Sequence, residues 1–416
     1  MENTSIGYHT FAFFQKTDEE EYQLLESDFI GYIQRTKKLK RTPVLNKDKE
    51  QIGWKYSYID DKEKGIHWVM LSDKAKNNYV TRGVLAVINP EVLIENNYIR
   101  AAKDDDLEEV EKIYNRETEK ISKVFLKFGA CSLNRMDPCL NINLKELGIP
   151  CTPEQMIKLI RRGNIPKHYE ERKECYDEKQ HRMVSDKNSF YLESKSSVVN
   201  FYWKYAKQGK KHPNYSKRES SRNVIRLEVE CKYLKLYALV KNRNLESKYY
   251  ESDEGLSPDE MYMRMYMGVH NLVIPIDVVL SANIYVPIIR KSIYKVLRKR
   301  DYFTLDIARD IVESYHFRSS KEDRMIEVLE SVNESHGIAK AKSKVREDEF
   351  PRFNKALKEL DKILVNPVTI PRRWNIRHIP NLLRAYYDSI CEEQLVPCQE
   401  YEAMKRIEEV LERVRQ

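Results

Sequence analysis

Alternation of apolar and polar side chains is the most regular signal in the chain. Successive side chains of a strand point to opposite faces, so a period of two marks a sheet with one face buried. Val199, Phe201 and Trp203 alternate with Asn200, Tyr202 and Lys204. Ile225, Leu227, Val229 and Cys231 alternate with Arg226, Glu228, Glu230 and Lys232. Each run predicts a strand that rests on a core by one face and offers a polar row on the other. Tyr8 to Phe14, Gly53 to Ile59, Ile66 to Leu71 and Gly83 to Ile94 are rich in β-branched and aromatic residues and predict further strands. Ala130 to Leu144, interrupted near Pro138, sets Asp137, Asn141 and Asn143 against Leu140, Ile142 and Leu144.

Helical spacing appears between these runs. Glu20 to Gln34 reads as an acidic amphipathic helix, and Asp106 to Phe128 carries Leu107, Val110, Ile113 and Tyr114 at helical intervals. Thr152-Pro153-Glu154-Gln155 opens a helix with a capping box and a first-turn proline. Residues 165–188 are polar and read as a long exposed loop. The resulting order suits an antiparallel α+β sheet.

From Ser257-Pro258-Asp259-Glu260 onward the pattern is helical nearly to the end. Thr304 caps a segment with Ile307, Ala308, Ile311 and Val312, and Ser320 precedes a helix from about Lys321 to Glu334, closed by Gly337. This pair is either a helix-turn-helix that meets DNA or ordinary helix packing. Tyr401 to Arg415 is a charged amphipathic helix that either packs back on the molecule or pairs with a second copy as a homodimer. The expected organisation is an α+β region over 1–255 and a helical DNA-binding or interaction region over 256–416.

A chain of 416 residues with 41% hydrophobic residues is large enough for a substantial core. Only 12 glycines, and no phosphate-cradling loop or dinucleotide fingerprint, argue against an ATPase. The net charge of +8 favours a polyanionic partner, and its distribution says more than its sum. Basic runs occur at Lys37 to Arg41, at Lys207 to Lys211 and at Arg290 to Arg300, the last interleaved with Ile293, Tyr294, Val296 and Leu297 as an amphipathic helix. Seven scattered cysteines without metal-finger spacing suit free thiols in a reducing cytoplasm, and no stretch approaches bilayer-spanning length.

The polar rows suggest phosphodiester chemistry. Asp137 with Glu228 and Glu230 offers oxygen ligands for Mg²⁺ or Mn²⁺. Tyr202 is a candidate nucleophile, Lys204 its neighbouring cation, and Arg226 a fork for a phosphate oxygen. Tyr191 and Tyr205 are rivals to Tyr202. Lys195, Lys207, Lys210, Lys211, Arg222 and Lys232 surround these strands, and Arg290, Lys291, Lys295 and Arg298 lie on the basic helix. All are expected contacts to a DNA backbone. Two other readings stay open. Asp137 with Glu230-Cys231-Lys232 imitates the Asp…Glu-x-Lys arrangement of hydrolytic nucleases, which leave no protein–DNA adduct. A non-enzymatic origin-binding protein would bind without cutting.

Asn134-Arg135-Met136-Asp137, Ser189-Phe190-Tyr191-Leu192-Glu193-Ser194-Lys195-Ser196, Phe201-Tyr202-Trp203-Lys204 and Ile225-Arg226-Leu227-Glu228-Val229 follow in this order. In them the chain resembles the rolling-circle replication initiators and relaxases of Gram-positive plasmids, phages and conjugative elements, and more loosely the filamentous-phage nicking protein. Val365 to Leu383, with its Asn-Pro and Ile-Pro pairs, is also similar to C-terminal parts of such proteins. The resemblance spans about residues 80–385. It implies a metal-dependent nickase that forms a phosphotyrosine link to one DNA strand at a single-stranded or extruded origin site, with a host helicase as a further partner. Trp203 stands where those families carry an acidic residue, and Asn141 stands at their second acidic position.

Overall fold

The computed structural model describes residues 4–45, 49–59, 65–72, 82–95, 97–173, 175–177, 182–184, 186–211, 218–243, 248–249, 272–390 and 398–415. The expected α+β architecture is present. Ten strands form one antiparallel sheet in the order β2-β3-β4-β5-β1-β6-β12-β11-β10-β7. They are β1 (Ser5–Lys16), β2 (Leu39–Leu45), β3 (Gln51–Tyr58), β4 (Ile66–Leu71), β5 (Gly83–Ile88), β6 (Ser132–Asn143) and β7 (Glu170–Glu171), then β10 (Ser189–Glu193), β11 (Ser197–Trp203) and β12 (Val224–Cys231). A small hairpin, β8 (Cys175–Asp177) with β9 (Arg182–Val184), stands apart from the sheet.

Several elements differ from the sequence expectation. The run from Gly83 stops at Ile88, because Pro90 starts a short helix, Pro90–Glu95. The helix expected to reach Phe128 ends at Glu119. β6 passes through Pro138 unbroken, although a register shift in its pairing with β1 lies between Tyr8 and Thr10. Residues 165–188 are not wholly loop, since β7, β8 and β9 fall within them.

One face of the sheet is apolar. Helix α1 (Glu19–Thr36) begins with a capping box, Asp18 accepting from the Glu21 amide and Glu21 reaching back, and buries Leu25, Phe29 and Tyr32. The Phe29 ring stacks on Tyr56 at 4.0 Å and leans on Trp68 at 5.8 Å. Phe13 meets Tyr114 edge-on at 4.8 Å. The helix Ala282–Leu297 packs against β1, β6 and β12. Its buried Ile284, Ile288, Ile289 and Ile293 join the same core as the sheet, which continues into the C-terminal helices as far as Val410.

The opposite face is polar and partly open. One cross-strand row runs Lys40–Ser57–His67–Val87–Ala12–Arg135, a residue from each of β2, β3, β4, β5, β1 and β6. A second row runs Cys139–Glu228–Asn200–Tyr191 over β6, β12, β11 and β10.

In the C-terminal half, Leu305–Ser314 packs on Ser319–Ser335, and the latter also packs on Phe350–Lys362. The last helix, Cys398–Arg415, lies against Leu305–Ser314 and buries Ala403, Ile407 and Val410 there. The expected boundary at 255/256 and the helix start at Ser257 lie outside the described residues. Among the described residues, no helix is long and apolar enough to cross a membrane.

Candidate active site

Strands β1, β6, β10, β11 and β12 and one short helix contribute to a cleft of about 280 Å³ on the polar face. β11 brings Asn200 and Tyr202 to it, β12 brings Glu228, and β6 brings Arg135 and Asp137. These are the positions that period-two alternation assigns to the polar face. Lys204 also lines the cleft, but by another route. β11 ends at Trp203, and Lys204 is the first residue of a short helix, Lys204–Lys211. One helical turn later Lys207 joins it, with Gln208 beside it. The basic run from Lys207 to Lys211 is therefore helical.

The Tyr202 hydroxyl donates to Glu228 Oε2 at 2.9 Å. Burial, and then the neighbouring Glu228 charge, raises the Tyr202 phenol well above its usual range, so the neutral phenol prevails. The Lys204 ammonium stands 5.8 Å from the centre of the Tyr202 ring, and that of Lys207 stands 6.0 Å from it. Lys207 donates to the Tyr191 hydroxyl at 2.7 Å. Tyr191, named from sequence only as a rival, thus opens onto the same cleft. Tyr205 instead stacks near Trp203 and under Arg218, and does not line the cleft.

Arg226 has a different role from the one expected. It is fully buried, donating to Asn141 Oδ1 at 2.7 Å and to the carbonyls of Ile99 and Arg100 at 2.5 and 2.8 Å. Its guanidinium ties the segment around Ile99 to the sheet and does not line the cleft, although its charge beside Tyr202 opposes the rise of that phenol. Strand alternation chose its face correctly. What covers that face comes from a distant part of the chain.

The carboxylates proposed for a metal are already engaged. Arg135 grips Asp137 with two hydrogen bonds, 2.8 Å from Nε and 2.6 Å from Nη2, and the same Nη2 lies 3.2 Å from Glu230. Burial pushes the Asp137 carboxyl up to about 7 against the pull of Arg135. Among the described residues, no three His, Cys, Asp or Glu side chains are arranged to hold a metal ion. A Mg²⁺ or Mn²⁺ bound by Asp137, Glu228 and Glu230 would have to displace Arg135 from Asp137 and Glu230, and Tyr202 from Glu228.

The expected DNA contacts fall into two groups. Lys195 is exposed at the β10–β11 turn, and Arg290, Lys291 and Lys295 are exposed on their helix. Lys210 pairs with Asp186, Arg222 with Glu219 at 2.7 Å, and Lys232 with Glu193 at 2.7 Å. Lys232 lies beyond the end of β12, so it leaves the row assigned to it. Arg298 closes the basic helix in the left-handed region (φ 58°), and Arg300 of the same run is buried against Asp361 at 2.8 Å. The Lys211 side chain lies outside the described residues.

No protein-family model and no curated protein matches the chain. The resemblance to rolling-circle initiators therefore rests on the motifs themselves.

Proposed function

We propose that this protein nicks and rejoins single-stranded DNA at an origin through a phosphotyrosine intermediate, starting rolling-circle replication or conjugative transfer. The observation that carries this reading is the Tyr202–Glu228 hydrogen bond of 2.9 Å in a cleft also lined by Lys204, Lys207 and Arg135. That distance is within general-base reach. Glu228 takes the phenolic proton as Tyr202 Oη bonds to phosphorus. The bond from phosphorus to one sugar oxygen breaks, and that oxygen leaves as a hydroxyl after taking a proton from Glu228 or water. The lysines offset charge growing on the phosphoryl oxygens. Attack by a strand-end hydroxyl on the phosphotyrosine reverses the sequence and restores Tyr202. Such a substrate fits a cytoplasmic protein, and the free, buried Cys131, Cys139, Cys151 and Cys231 agree with a reducing compartment.

A second reading keeps the chemistry and changes the nucleophile. The contact from Lys207 favours Tyr191, because a cation at the hydroxyl stabilises its phenolate. The hydrolytic alternative is less well supported, since Lys232 gives its ammonium to Glu193.

The test is cleavage of a pool of single strands from the neighbouring genomic region, with Mn²⁺ or with EDTA, on a denaturing gel without protease treatment. A protein–DNA adduct that disappears in Tyr202→Phe is the expected result. An adduct surviving that change but lost in Tyr191→Phe assigns the attack to Tyr191. Cutting without an adduct supports the hydrolytic nuclease, and binding without cutting supports an origin-binding protein. The EDTA lanes decide whether any added metal takes part.

A further inference from the structure

A second cleft of about 500 Å³ adjoins the first, and the two share Thr10, Asn89 and Tyr98. It lies over the polar face of β2–β5, where Lys40, Lys55 and His67 line it. The cross-strand row through Lys40 and His67 ends at Arg135, inside the first cleft. Five strand spacings of about 4.8 Å make that row roughly 24 Å long. The charge along it has one sign, for none of the strands β2, β3, β4 and β5 contains an Asp or a Glu.

We infer that this groove is the binding track for the single-stranded DNA flanking the cleavage point, with Lys40 and Lys55 as its phosphate contacts. The inference rests on the nicking reading for where the strand is cut, and adds where the rest of the strand lies. His67 reports the field in the groove: burial, and then Lys55 and Arg135 on either side, lower its imidazole to about 4. Burial is the largest cause of that shift; the smaller part due to Lys55 and Arg135 reflects a positive field, and such a field attracts a polyanion. The half-open Val87 lines the groove, and the half-open Val69 and Leu85 extend an apolar strip on the same face of β4 and β5. Such a surface suits the bases of an unpaired strand, and Tyr98 at the junction offers a ring for stacking.

The experiment compares wild type with Lys40→Glu/Lys55→Glu and Lys40→Gln/Lys55→Gln in the full chain. Fluorescence anisotropy is read on a long single-stranded oligonucleotide around the cleavage point and on versions trimmed from either end. Unfolding midpoints are recorded alongside, and the glutamine pair keeps the test open should charge reversal disturb the fold. The expected result is roughly tenfold or greater weakening on the long strand, with a salt slope shallower by about 1.4 for two lost phosphate contacts. A strand trimmed on one side binds all three proteins alike. Adduct formation on a short strand spanning only the cleavage point stays unchanged in the variants. Unaltered affinity for the long strand, or equal losses on long and trimmed strands, overturns the track and leaves the nicking reading standing. A wild type that binds no single strand overturns both.

Discussion

At the scale of single residues, the proposed chemistry turns on which group can take a proton from Tyr202. Glu228 is the carboxylate that its hydroxyl contacts, so Glu228→Gln, which keeps the shape and loses the basicity, slows adduct formation by about 10²–10⁴-fold. Single-turnover rates with saturating DNA measure this, and a rate within a few-fold of wild type removes Glu228 from the base role. Arg226 predicts the reverse pattern. Arg226→Ala strands the Asn141 oxygen and the carbonyls of Ile99 and Arg100, and costs about 3–5 kcal/mol in urea unfolding. A stable Arg226→Ala protein that has merely lost activity contradicts the structural role.

Glu91 gives a pH signature at the same scale. It is almost wholly buried, and burial, opposed by Arg100, raises its carboxyl from 4.5 to about 7. The folded value lies above the unfolded one. The protonated form therefore contributes stability that is complete below about pH 4.5 and is lost as pH rises through about 7. Relative to Glu91→Gln, wild type loses up to roughly 3 kcal/mol over that window. Urea titrations of both proteins at several pH values check it, and parallel curves refute it.

At the scale of elements, the segment around Ile99–Ala102 explains both what was legible in the sequence and what was not. It crosses the polar face, pairs its Ala102 with Tyr8 through two backbone hydrogen bonds of 2.9 and 3.0 Å, and captures Arg226. It approaches so closely that a Cβ on Gly7 would meet the Ala102 carbonyl oxygen at 2.0 Å. Gly7→Ala accordingly lowers stability by about 1–3 kcal/mol and loosens this segment, which hydrogen exchange at residues 99–102 reads directly. Unchanged exchange there shows that the contact yields without consequence. Period-two alternation put Asp137, Tyr202 and Glu228 on one face, and all three meet in the cleft. It carries no information about a segment laid over that face, so Arg226 looked open. Nor does it mark where a strand gives way to a helix, and Lys204 and Lys207 reach the cleft through that change.

At the scale of the molecule, the α+β class was legible because helical and strand periodicities are both strong. Strand order was not, since it depends on pairings between residues far apart in sequence. The two regions expected on either side of residue 255 share one core, with Ala282–Leu297 packed on three central strands. A fragment ending at residue 243 leaves that surface bare and does not hold a cooperative fold, while the full chain unfolds in one transition. Circular dichroism of both through a urea series tests this, and a well-folded fragment shows that the sheet region is autonomous.

The chain's first strand is also the seam of the sheet: β1 has β5 on one side and β6 on the other. Strands β2–β5, which carry Lys40 and Lys55, and the tyrosine-bearing strands β10 and β11 therefore lie on opposite sides of an element made before either. During synthesis β1 must wait for β6, about 120 residues later, before its second edge is paired. Until then an apolar strand with an open edge is exposed to other chains. Damage to β1 would not trim the sheet. It would part it into two sheets, one with the proposed DNA track and the other with the proposed nucleophile, with nothing left to keep them in register.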